Sequence, residues 1–202
     1  MEVVRPKASE GDVETQIVIP LLTGLEFLGI PLEDLRSKEG ISARDIGKGA
    51  KRKIGYIPDF CIYKQSLPIA IVETKSPAGG LREAYGEARL YTLEINRSFP
   101  TKCNPCSRVL ATDGKAILAG HWDAEPIISV AVKDLVAGSV ALDELRVLLG
   151  NAALQRLATE ASQQIRADGF VRPLTLGSGA TQINSSIDPN TFAADLRPCG
   201  RI

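Results

Sequence analysis

Histidine is nearly absent from this chain of 202 residues, where His121 is the only one. A lone imidazole beside Trp122 removes catalytic triads of the usual kind, because they need a histidine positioned to carry a proton. Charge of one sign is missing too: Lys plus Arg and Asp plus Glu number 24 each, for a formal net charge of zero. Bulk charge therefore offers no long-range attraction to nucleic acid, and any such attraction must be local. No apolar run approaches the roughly 20 residues of a membrane span, and Met1-Glu2-Val3-Val4-Arg5-Pro6 lacks a signal-peptide core. A cytoplasmic protein with no membrane partner is expected, and the four cysteines fit that compartment as reduced thiols. Cys103-Asn104-Pro105-Cys106 has the spacing of zinc ligands, but without a second pair or a nearby histidine it reads as a plain loop. No internal repeat is present. An apolar content of 44% and a charged content of 24% are ordinary for a globular chain, and the length fits one domain with an appendage.

What is present concentrates in residues 55–75. Gly55-Tyr56-Ile57-Pro58-Asp59-Phe60-Cys61-Ile62-Tyr63 and Ile69-Ala70-Ile71-Val72-Glu73-Thr74-Lys75 are both strand-like, and the short segment between them predicts a tight antiparallel hairpin. Folded about Gln65 and Ser66, this hairpin puts Asp59 opposite or diagonal to Glu73, with cross-strand Cβ atoms about 5 Å apart. Two carboxylates that close repel each other unless a cation lies between them. Strand alternation places Lys75 on the face of Glu73, with Thr74 pointing away. Two acids and a lysine converging in this way suit metal-assisted hydrolysis. The same residues also suit a salt-bridged hairpin end, in which Lys75 only neutralises the acids.

Upstream, residues 12–28 show helical spacing, with Val18, Leu21, Leu22 and Leu25 on one stripe, Asp12 as N-cap and Pro20 kinking or locally loosening the helix. Glu14 falls near that stripe. It is either a buried carboxylate needing a partner or an exposed first-turn glutamate favoured by the helix dipole. Residues 31–53 read as an irregular loop. It contains Lys48, Lys51, Arg52 and Lys53, either a solvated loop or a local phosphate-holding patch. A helix is predicted from about Leu81 to Asn96, carrying Tyr91 on its apolar face, where an aromatic is ordinarily core. Strands over 107–111 and 115–119 follow, joined at Thr112-Asp113-Gly114, then a strand over 127–132 and helical turns to a last helix over 152–167. Beyond Gly169 the chain is turn-rich and reads as a linker or extended arm, as though this were the first piece of a longer product or a subunit that lays its tail on a partner.

The order of these parts resembles the PD-(D/E)xK nuclease superfamily, and most closely the N-terminal domain of type I restriction endonuclease R subunits. The resemblance runs from about Asp12 to Trp122. It is carried by Glu14, Pro58-Asp59, Glu73-Thr74-Lys75, the helix bearing Glu87-Ala88-Arg89-Leu90-Tyr91, and Val109-Leu110-Ala111-Thr112-Asp113-Gly114. It implies an α/β (α+β) restriction-endonuclease-like core, a central mixed sheet of four to five strands flanked by helices. The nuclease-like domain would span 1–150, and 151–202 would form a helix with an extended linker or partner-docking tail. The resemblance further implies an Mg²⁺- or Mn²⁺-dependent endonuclease acting on DNA within a restriction or anti-phage defence system. Its partners would be other domains or subunits of a defence complex, or a second copy of the chain. Asp59, Glu73 and Lys75 would be catalytic. Glu14, Asp59, Glu73 and the carbonyl of Thr74 would hold the metal, and Lys48, Lys51, Arg52, Lys53, Glu87 and Tyr91 would face the nucleic acid. Glu87 departs from the pattern, since a glutamine commonly stands four residues before the tyrosine, and a carboxylate there repels a phosphate. That departure keeps an alternative in view: a nuclease-fold module that binds nucleic acid or a partner without cutting.

Overall fold

The computed structural model describes residues 5, 7–38, 40, 57–100 and 102–166, and the backbone of 167, 171–176 and 181–186. Six strands form one mixed sheet in sequential order: β1 (Leu35–Ser37), β2 (Phe60–Lys64), β3 (Leu67–Thr74), β4 (Arg108–Thr112), β5 (Ala116–His121) and β6 (Ile128–Ala131). The class is the expected α/β one, with one strand more than four to five. The extra strand is β1, inside the segment read as irregular loop. Three residues are too few to show alternation, and β1 is a strand because it pairs with the edge of β2, Leu35 against Ile62 and Ser37 against Phe60.

Every neighbouring pair is antiparallel except β3 with β4. A parallel pair needs a crossover, and α3 (Leu81–Asn96) supplies it. All eight residues of β3 are buried, as a central strand covered on both faces requires. Helix α3 packs against β3, β4 and β5, while α5 (Asn151–Ala167) packs against β2 and β3. Leu154, Ala158, Ala161 and Ile165 recur at helical spacing and join the same core as Ile71, Leu110 and Ile117. Burying each such leucine or isoleucine contributes roughly 1.5–3 kcal/mol. The helix grouped with the 151–202 segment by sequence thus shares the core of residues 1–150. Between them, α4 (Val140–Leu149) buries Leu142, Leu145, Leu148 and Leu149.

The N-terminal helix differs from expectation at both ends. Ser9, not Asp12, is the N-cap: Ser9 Oγ accepts from the Asp12 N–H at 3.2 Å, and Asp12 Oδ2 accepts from the Ser9 N–H at 2.8 Å. This reciprocal capping box starts α1 (Glu10–Val13). A π-helical turn over Glu14–Val18 then leads into α2 (Ile19–Thr23). Pro20 has no N–H to give to the carbonyl four residues back, and the widened turn, with Ile19 N–H bonded to Glu14 O, is the local loosening of the helix that accommodates it. The helix stops at Gly24 rather than near Leu28. A side chain at position 24 would meet the Pro20 carbonyl at 2.7 Å, and Leu25, assigned to the buried stripe by its spacing, is 93% exposed. Near the other end of the chain, β7 (Val171–Leu176) and β8 (Thr181–Ser186) pair as an antiparallel two-stranded ribbon within the segment read as an extended arm.

Candidate functional site

Gln65 and Ser66 connect β2 to β3 with φ of 51° and 63°, the positive values a type I′ hairpin turn needs. One irregularity between Ile62 and Tyr63 resets the register, so that Phe60 pairs with Val72. Continued one residue outward, this register sets Asp59 against Glu73. There the ladder gives way to side-chain bonds. The Asp59 N–H donates to Glu73 Oε1 at 3.2 Å, while Asp59 Oδ2 accepts from the Thr74 N–H at 2.7 Å and from the Thr74 hydroxyl at 2.6 Å. Thr74, expected to offer its carbonyl, here holds the Asp59 carboxylate in one orientation with its N–H and hydroxyl.

Glu14 comes to this hairpin from the π turn. It lies close enough that one oxygen each of Glu10, Glu14 and Asp59 fall within 4.8 Å of one another. The Glu14 side chain is 13% exposed, which decides between its two sequence readings in favour of burial. Glu10 was not anticipated. Its only signal is the four-residue spacing to Glu14, which puts both on one helix face. At that separation and an effective dielectric near 20, each ionised pair costs about 3–4 kcal/mol. The cluster therefore favours either a bound proton or a bound cation.

Burial biases the neighbouring Glu73 toward its protonated form. It is 3% exposed and makes no ion pair among the described residues. Burial, followed by the neighbouring Asp59 charge, pushes its carboxyl up to about 8. The same two causes raise Glu10 above the ordinary carboxylate range. Glu14 Oε1 is buried, with a lysine ammonium 3.1 Å away as its counter-ion. A carboxyl raised by burial and a convergence of hard oxygen ligands fit a divalent cation of the Mg²⁺ class.

Two lysines flank the acids. Lys75 Nζ sits 2.6 Å from Glu87 Oε2, and this contact raises its pKa. The position where a glutamine was expected thus carries the lysine's counter-ion. Lys38, also unforeseen, follows β1 with φ of 52° and donates its N–H to the Asp59 carbonyl at 3.1 Å. Its Nζ lies 3.1 Å from Glu14 Oε1, and its contact with Glu14 raises its pKa. No sequence signal marked Lys38, because only the pairing of β1 with β2 carries it to the acids. Tyr91 packs against the core, as an aromatic on that helix face usually does, with its hydroxyl raised by burial and by the Glu73 charge. Lys48, Lys51, Arg52 and Lys53 lie outside the described residues. Cys103 and Cys106 are fully buried, and burial pushes the Cys106 thiol up to about 12.

No family model, no curated protein and no solved structure matches this chain. Among the described residues, no helix is long and apolar enough to cross a membrane.

Proposed function

We propose that this chain is a metal-dependent endonuclease domain that hydrolyses phosphodiester bonds of DNA and works within a restriction or anti-phage defence assembly. The observation that carries this reading is the convergence of Glu10, Glu14 and Asp59 beside the buried Glu73 at the open end of the β2–β3 hairpin, with Lys75 two residues further on. Glu10, Glu14, Asp59 and Glu73 would hold Mg²⁺ or Mn²⁺. When bound, the ion lowers the pKa of a coordinated water and offsets charge on the scissile phosphate. Thr74 orients the Asp59 carboxylate through its N–H and hydroxyl. Glu73 must release its proton to become a ligand, so metal uptake near neutral pH expels a proton at this carboxyl. Lys75 orients the attacking water and stabilises the negative charge that develops on the phosphate oxygens.

A second reading, a module of the same fold that binds nucleic acid or a partner subunit without cutting, is favoured by one observation. Glu87 occupies the lysine that would otherwise serve the reaction. Incubating supercoiled plasmid with the wild-type chain and with Asp59→Ala, in Mg²⁺, Mn²⁺ or EDTA, separates the two. Nicked and linear products from the wild type alone, abolished by EDTA, support the nuclease. Mn²⁺ binding without cleavage supports the silent module, and absence of both cleavage and metal binding defeats the metal-site reading.

A further inference from the structure

Lys38 is the most exposed of the three lysines described near the acids. Lys75 is bound to Glu87, and the buried Lys64 is bound to Asp34 and Asn151. The Lys38 side chain is 59% exposed, and its ammonium lies 3.1 Å from the buried Glu14 Oε1, a contact that raises its pKa. Its backbone is held as well. The N–H is bonded to the Asp59 carbonyl, and φ is in the left-handed region that L side chains adopt only when the surroundings impose it. The backbone thus aims an exposed ammonium at the acids.

We propose that Lys38 is a positioning residue with two stations, resting on the proposed metal-site reading. In the metal-free protein its ammonium is the resident counter-ion of Glu14, and it partly offsets the repulsion among Glu10, Glu14 and Asp59. A divalent cation taken up by those carboxylates repels the ammonium, which swings outward on its four-carbon stem. Its exposed side chain then stands at the mouth of the site as a contact for a phosphate of the nucleic-acid backbone. Metal loading and substrate contact are thereby coupled through one side chain. Lys75 cannot perform this exchange while Glu87 holds it.

The test compares wild type, Lys38→Gln, Lys38→Arg and Glu14→Gln. Mn²⁺ binding is measured by calorimetry without nucleic acid. Binding of a labelled duplex oligonucleotide is measured in saturating Ca²⁺, the non-cleaving stand-in, over a salt series. Lys38→Gln is expected to bind Mn²⁺ about fivefold tighter, the effect of removing a competing exposed ion pair. It should bind the duplex more weakly, with a salt slope shallower by about one. Lys38→Arg should restore wild-type behaviour, and Glu14→Gln should lose Mn²⁺. Unchanged Mn²⁺ affinity in Lys38→Gln, with Glu14→Gln still defective, overturns the counter-ion role and leaves the metal site standing. Tighter Mn²⁺ with an unchanged duplex salt slope overturns the phosphate station. If wild type and Lys38→Gln alike bind no Mn²⁺, the metal-site reading falls and this inference falls with it.

Discussion

Replacing Glu73 with glutamine should stabilise the metal-free protein, and only at higher pH. The carboxyl is buried against Asp59, with a pKa near 8 in the folded chain against 4.5 as the ordinary value. A carboxyl raised on folding contributes stability that is fully present below the unfolded value and is lost as pH rises through the folded one. Each pH unit across that window costs about 1.4 kcal/mol, so the loss by pH 8 reaches about 4–5 kcal/mol at most. Water entering at the open hairpin end reduces it. Glutamine keeps an oxygen able to accept from the Asp59 N–H and carries no charge. In EDTA, Glu73→Gln and wild type should melt within a few degrees of each other at pH 5. By pH 8.5 the variant should melt roughly 10 °C higher, since about 1 kcal/mol moves the midpoint by roughly 2–4 °C in a chain of this size. Differential scanning calorimetry of both proteins at half-unit pH steps measures this, and the difference between them cancels the other titrating groups. Adding Mn²⁺ should reverse the order at pH 8.5, because only the wild type gains stability from the bound ion. A melting difference independent of pH between 5 and 8.5 would refute the reasoning, since it would mean that Glu73 carries no raised pKa.

Glu87→Gln should release Lys75. The Glu87 contact is the first cause of its raised pKa, so NMR of the Lys75 side chain should show a lower value in the variant, and plasmid nicking should rise several-fold. An unchanged Lys75 titration would show that the ion pair does not hold the ammonium in solution. In a Cys199→Ser background, Cys61, Cys103 and Cys106 should resist a thiol reagent at pH 8 until the protein unfolds, because all three are buried and the Cys106 thiol is raised to about 12. Rapid labelling of the native protein would contradict their placement. Leu110→Ala, at a fully buried core position in the strand parallel to β3, should cost roughly 2–5 kcal/mol in denaturant unfolding. A loss under 1 kcal/mol would mean that the core collapses around the gap.

The amino-acid order alone settles whatever depends on short-range pattern. The hairpin turn at Gln65 and Ser66 follows from two strand-like runs too close together to connect in any other way, whereas the facing of Asp59 and Glu73 needs the irregularity between Ile62 and Tyr63 that resets the register. The long helix Leu81–Asn96 and the turn at Asp113-Gly114 are equally local, set by periodicity and by a residue that accepts a positive φ. The tertiary structure decides what arrives from a distance. Leu35–Ser37 is a strand only because β2 offers an unpaired edge, and that pairing delivers Lys38 to Glu14. Glu10 joins the acids because the capping box at Ser9 starts the helix earlier than Asp12 suggested, and Glu14 turns inward through a π turn that accommodates Pro20. The ionisation of Glu73 belongs to neither residue nor motif. Burial and the Asp59 charge set it, and both exist only once the sheet is covered on both faces.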